Sequence, residues 1–224
     1  MTRVCGRFTL TADLDFLVER FQIAYPVAFE YKPRYNIAPS QDVPAVIRGE
    51  RGNKLGTLRW GLVPFWAKDP SVGYKMINAR SETAATKPSF REALRTKRCL
   101  ILADGFYEWK KEGQRKQPYR IFLKGGKPFA FAGLWSVWEK GDGRLATCTI
   151  LTTTANALLA DLHDRMPVIL PEEAEDVWLD PRASFDDIRA LLKSYPADAM
   201  DYYPVSDAVN SPKNDDRSLI EPLG

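Results

Sequence analysis

Between Cys99 and Thr153 the chain offers a succession of short apolar runs: CLILA, GFYEWK, PYRIFL, FAFAGLWSVW and RLATCTILTT. Gly-rich stretches such as KGGKP and KGDGR separate several of them. Runs rich in β-branched and aromatic residues, punctuated by glycine, read as strands joined by hairpin turns. A chain whose middle consists of consecutive strands, with its helices grouped toward the ends, is constrained to an α+β fold. Its expected architecture is a mainly antiparallel, barrel-like β-sheet with flanking helices.

The flanks fill in around that sheet. Leu14, Leu17, Val18 and Phe21 fall at helical spacing, predicting a helix over 13–21 with Thr11 as its cap. KPRYNIAPSQDVP reads as a Pro-rich loop, and strands are expected at 45–48 and 55–63. SFREALRTK carries Ser89 and Glu92 at capping-box spacing, which predicts a short helix there. Beyond Thr153 the pattern predicts a helix at 155–162, a strand at PVIL, helical stretches at 172–179 and 185–193, and a late strand near DYYPVS. No repeat, low-complexity tract or linker interrupts the pattern, so residues 1–224 are expected to form a single domain.

Composition removes several function classes. The 224 residues are 45% hydrophobic, enough for a full core. No run approaches the roughly 18 apolar residues of a membrane span, and no secretory signal is expected. The three cysteines, Cys5, Cys99 and Cys148, lack CxxC spacing, and His163 is the single histidine. Neither a disulfide framework nor a zinc site is expected, so the reading is no metal, no cofactor and a reducing, cytoplasmic setting. GxGxxG and GxxxxGK[ST] are absent, which leaves nucleotide-cradling folds without support. Charge is asymmetric: residues 1–128 hold 24 Lys and Arg against 12 Asp and Glu, and residues 129–224 hold 8 against 17. That pattern fits either a basic face for a polyanion or two halves that neutralise one another.

A few residues have the chemistry of a site. His163, in ADLHDRMPVIL, would stand at the end of the helix expected at 155–162, where the helix terminus and Asp164 both favour the imidazolium; the alternative is a plain helix cap. Glu108, in DGFYEWKK, shares a strand face with Phe106. Apolar surroundings there would raise its pKa and suit general acid/base work; the alternative is an edge-strand glutamate paired with a lysine. Asn78 and Arg80, in NARSE, can hold a substrate oxygen and a phosphate, or simply form a loop. RWGLVPFW places Trp60, Phe65 and Trp66 together, as a base-stacking platform if exposed and as core if buried.

In this order the motifs CGRF, YNIAP, RWGLVPFWAKD, MINARSET, KPSFR, RCLILADGFYEW, KQPY, FAGLW and HDRMPVIL resemble the SOS response-associated peptidase (SRAP) family, whose members sense abasic sites in single-stranded DNA. They span roughly residues 5–170. The resemblance implies Cys5 as nucleophile, Asn78 and His163 as stabilisers of the abasic sugar, and Glu108 as acid/base. It also implies DNA contacts by Arg7, Arg80 and the Trp66 loop. The expected partner is single-stranded DNA containing an abasic site, met by a monomer at the nucleoid. The expected product is a thiazolidine cross-link that shields the lesion.

The chemistry turns on the α-amine. An aldehyde needs an unprotonated amine, and an α-amine near pKa 7.7–8.0 holds on the order of 300-fold more free base than a lysine near 10.4. A terminal cysteine then adds its thiol to the same carbon and closes a five-membered ring. Here four residues precede Cys5, where the family has only an initiator methionine. Either the protein cleaves the Val4–Cys5 bond itself, or translation starts at Val4, which stands where the initiator would be. Rival readings are an N-terminal-nucleophile hydrolase such as a glutamine amidotransferase, a thiol protease pairing Cys5 with His163, and a non-covalent single-strand-binding module.

Overall fold

The computed structural model describes residues 5–223. β1 (Phe8–Leu10) and α1 (Leu14–Arg20) lead into β2 (Arg34–Ile37), β3 (Asp42–Gly49) and β4 (Gly52–Trp60). Then come β5 (Asn78–Arg80), α2 (Ser81–Ala84), α3 (Arg91–Thr96), β6 (Arg98–Ala103), β7 (Gly105–Glu112) and β8 (Arg115–Leu123). β9 (Phe129–Lys140), β10 (Gly143–Thr154), β11 (Arg165–Pro167) and β12 (Ile169–Leu170) precede α4 (Glu175–Leu179), α5 (Phe185–Leu191) and β13 (Met200–Pro204).

Pairing closes five of these strands into a ring: β4 with β3, β3 with β6, β6 with β9, β9 with β10, and β10 back to β4. Every contact in the ring is antiparallel except β4 with β10. A second, antiparallel sheet in the order β13-β8-β7-β1-β2 lies against the barrel. Aromatic edges join the two layers. Phe8 of β1 meets Trp60 of β4 at 5.2 Å and Phe131 of β9 at 5.7 Å, and Phe106 of β7 meets Phe131 at 5.9 Å. Each ring is fully buried or nearly so, worth about 1.5–3 kcal/mol apiece by burial. The fold is therefore the α+β, barrel-like architecture that the strand run predicts. Two of its hairpins turn on glycines in the left-handed region, Gly113 at φ 61° and Gly141 at φ 57°.

Four local expectations are corrected. The Pro-rich stretch is not a loop, because β2 and the start of β3 lie within it. Thr11 does not cap α1; its hydroxyl donates to Asp104, and Asp13 occupies the N-cap position. The Ser89/Glu92 capping box does not form: the turn before α3 uses the Lys87 carbonyl, which accepts from the amides of Phe90 and Arg91. Residues 155–162 form successive turns instead of a helix, so His163 has no helix terminus behind it.

The charge asymmetry resolves partly into neutralisation. Arg20 pairs with Glu172 and Glu175, Arg34 with Asp215, Arg48 with Asp176 and Arg115 with Asp207, each joining the basic half to the acidic half. Among the described residues no helix is long and apolar enough to cross a membrane.

Candidate active site

The register of β1 on β7 builds the centre of the site. Phe8 lies opposite Phe106 and Thr9 opposite Gly105, and the Tyr107 amide donates to the Arg7 carbonyl at 3.0 Å. Continuing that antiparallel register brings the residues before β1 alongside Glu108. There the Cys5 amide donates to Glu108 Oε1 at 2.6 Å. Cys5 is fully buried and Glu108 is 3% exposed, so the pair is sealed from solvent. Burial pushes the Glu108 carboxyl up to about 8; the Cys5 amide pulls it back somewhat, and the charge of Asp164 pushes it further up. Burial, and then the charge of Glu108, also raise the Cys5 thiol well above its ordinary value. The edge-strand alternative for Glu108 is thereby set aside, since its side chain faces the interior and bonds to Cys5 rather than a lysine. Cys5 itself adopts φ 43°, a left-handed backbone that residues with a Cβ seldom take.

Asp104 anchors the strand that presents Cys5. Its carboxylate accepts from the hydroxyls of Thr9 at 2.6 Å and Thr11 at 2.8 Å, from the Thr11 amide, and from the Ala12 amide at 3.2 Å. It also faces the Arg120 guanidinium at 3.4 Å. One buried carboxylate thus fixes both the end of β1 and the corner between β6 and β7. Nothing in the sequence reading singled out Asp104, and its position just before GFYEW was the available signal.

Asn78 opens β5, which runs parallel to β10 with Asn78 opposite Ile150. On the other edge of β10, β11 pairs Arg165 with Thr154, so His163 enters from that side. The two residues therefore flank one strand of the barrel. His163 is held by its Nδ1, which accepts from the Arg165 amide at 3.0 Å and stands 2.8 Å from Asp164 Oδ1. Asp164 acts on Glu108 through its charge, which ties the His163 segment to the buried carboxyl. An open cavity of about 490 Å³ is lined by Gly6, Arg7, Pro39, Ile77 and Trp109, so chain neighbours of Cys5, Asn78 and Glu108 share one hollow.

The residues expected to meet DNA fall into two groups. Arg80 and Trp66 are exposed, and Arg80 makes no ion pair among the described residues. Phe65, also exposed, stands beside Trp66, whereas Trp60 is core. Arg7 is already engaged: its guanidinium donates to Asn36 Oδ1 at 3.1 Å, the Val209 carbonyl at 2.7 Å and the Asn210 carbonyl at 3.2 Å. It pins the C-terminal segment across the second sheet. Asn36 completes the clamp by donating to the carbonyls of Val209, Ser211 and Asn214.

A thiol-protease arrangement needs a thiolate beside an imidazole. Here the thiol is pushed toward its neutral form, and no hydrogen bond joins Cys5 to His163 among the described residues. What the arrangement offers is a carboxyl at a backbone nitrogen, able to give or take a proton at that atom. The second sheet, packed on a closed barrel, delivers the Cys5 nitrogen to a buried carboxyl. Residues 4–212 match the model of the SOS response associated peptidase (SRAP) family, and the chain belongs to that family.

Two bacterial relatives match over nearly their whole length. The chain is 52% identical over 222 residues to the abasic site processing protein YoqW of Bacillus subtilis, covering 97% of this chain and 99% of that one. It is 35% identical over 227 residues to the abasic site processing protein YedK of Escherichia coli, covering 98% and 100%. The crystal structure of a protein from Bacteroides thetaiotaomicron, 29% identical, superposes with a TM-score of 0.89 over 98% of this chain and 100% of that one.

Proposed function

We propose that this protein processes abasic sites in single-stranded DNA and joins itself to them covalently through Cys5. The observation that carries the reading is the 2.6 Å bond from the Cys5 nitrogen to Glu108 Oε1. Once nothing precedes Cys5, that nitrogen is an α-amine with pKa of about 7.7–8.0. The Glu108 carboxyl, at about 8, matches it, so a proton passes between them at little cost near neutrality. The free amine attacks the aldehyde carbon of the opened abasic sugar, and Glu108 protonates the departing hydroxyl as water leaves and the imine forms. The thiol of Cys5 then adds to the imine carbon, its proton passes to the nitrogen, and the thiazolidine closes. Asn78 and His163 hold the sugar oxygens, while Arg80 and Trp66 receive the strand.

The same carboxyl serves processing of the Val4–Cys5 bond, in which the Cys5 nitrogen is the leaving group and requires a proton. Residues 1–4, with which the expectations of self-cleavage or a start at Val4 are concerned, lie outside the described residues. The test incubates protein beginning at Cys5 with an abasic oligonucleotide and separates the products under denaturing conditions. Wild type gives a stable adduct. Cys5→Ala gives only an imine that must be trapped by reduction. A stable adduct of undiminished yield from Cys5→Ala would overturn the assignment.

A further inference from the structure

We propose a second nucleotide-binding cleft behind the Pro64–Trp66 loop, which takes an unpaired nucleotide of the same strand by base stacking and phosphate pairing. The proposal rests on the single-strand reading above and extends it from Trp66 to Phe65, Trp135, Arg91 and Lys97, which that reading does not use. An open cavity of about 490 Å³ separates that loop from α3 and is walled by Phe65, Trp66 and Trp135, with Arg91 and Lys97 at its edge. Phe65 is 61% and Trp66 54% exposed, an unusual display of aromatic surface. The display is a fixed one. The Val63 amide donates to Thr147 Oγ1 at 2.9 Å, Trp138 Nε1 to the Ala67 carbonyl at 2.8 Å, and Lys140 Nζ to the Lys68 carbonyl at 3.0 Å. Both ends of the loop are therefore tied to β9 and β10, and its rings project outward without a partner.

The charge is of the sign a strand requires. Lys97 Nζ lies 5.3 Å from the Trp135 ring centroid, putting a cation beside a π-face. Arg91 at the cleft is exposed, as are Lys87 and Arg95 near it in sequence, and none of them, nor Lys97, has an ion-pair partner among the described residues. Glu92 also lines the cavity and opposes them, one carboxylate among these cations. Aromatic faces interleaved with unpaired cations are the combination that holds single strands without regard to base sequence.

Consecutive stretches of the chain line hollows at the site and at the cleft. Pro39 lines the cavity beside Gly6. Its neighbour Ser40 lines the next hollow, of about 200 Å³, together with Gly61 and Val63. Pro64, the following residue, begins the wall of the proposed cleft.

The experiment measures binding of intact oligonucleotides of increasing length to the full chain, at several salt concentrations. Lengthening the strand from about five to about twelve nucleotides, within the range one such domain covers, should raise wild-type affinity. In Arg91→Gln/Lys97→Gln that gain should shrink, and the salt slope on the longer strand should fall by about 1.4, near 0.7 for each lost phosphate contact. Trp135→Ala should weaken the longer strand about 10-fold through lost stacking, with Trp135→Phe restoring most of it. If the glutamine pair, which changes only edge side chains, keeps the wild-type slope and length gain, the cleft is not a nucleotide site. Absence of any abasic adduct would instead sink the covalent reading, leaving this intact-strand comparison standing by itself.

Discussion

Replacing Glu108 by glutamine separates the proposed proton transfer from stability, because a carboxyl buried for the first would be held at the expense of the second. Its folded pKa of about 8 stands well above the ordinary carboxyl near 4.5. Between those two pH values the folded chain holds a proton that the unfolded chain has released. Stability therefore falls as pH rises through that window, at up to about 1.4 kcal/mol per pH unit for this one group. The full window sets a ceiling of about 5 kcal/mol above pH 8. Glutamine keeps an oxygen for the Cys5 amide and carries no charge to desolvate. Glu108→Gln should thus be more stable than wild type at pH 8, with the difference vanishing near pH 4. Even about 2 kcal/mol moves the melting temperature by about 4–8 °C in a chain of this size. Adduct formation should meanwhile slow by about 10²–10⁴-fold, with intact-strand affinity unchanged or slightly higher. Thermal melts of both proteins across pH 4–9, beside adduct time courses at saturating DNA, decide the matter. Parallel melting profiles would refute the buried, protonated carboxyl, and wild-type adduct kinetics would refute its role as proton shuttle.

Three further substitutions probe the surroundings. Asp104→Ala leaves Arg120 buried without its carboxylate and frees the end of β1, so a loss of about 3–5 kcal/mol is expected in chemical denaturation. Arg7→Ala removes a charged donor from Asn36, Val209 and Asn210, which should cost about 1.5–3 kcal/mol and make the segment after β13 an early target in limited proteolysis. Arg80→Ala, at an exposed and unpaired position, should leave stability within about 0.5 kcal/mol and lower the single-strand salt slope by about 0.7; an unchanged slope would remove Arg80 from the DNA face.

The middle of the fold was legible because its signals are local. The runs from Cys99 to Thr153 alternate apolar content with glycine turns, and Gly113 and Gly141 supply the left-handed corners that those hairpins need. β2 was hidden because Pro33, Pro39 and Pro44 argue against strands. The structure accommodates Pro44 where β3 pairs with β4 but has not yet met β6, whose contact starts at Ala45. The turns at 155–162 imitate a helix through Leu158, Leu159 and Leu162. Asn156 instead directs its own Oδ1 to the Leu159 amide at 3.0 Å, which closes a local turn. Residue type and strand-face alternation pointed Glu108 inward, but its bond to Cys5 spans 103 residues and depends on the register of β1 on β7. That register follows from the Asp104 clamp and the Phe8–Phe131 contact, neither of which has a local signature.

The backbone angle at Cys5 bears on the direction of processing. A φ of 43° sets the Cβ against the preceding peptide group, a conformation that costs on the order of 1–2 kcal/mol. The angle exists only while a carbonyl carbon is attached to the Cys5 nitrogen. Cutting that bond would remove the group responsible for the crowding. Under the processing proposed above, the crowding would be present before the cut and absent after it. In that proposed reaction, release of about 1–2 kcal/mol would favour cleavage over rejoining by about 5- to 30-fold. The geometry that presents the nucleophile would then also keep its amine free.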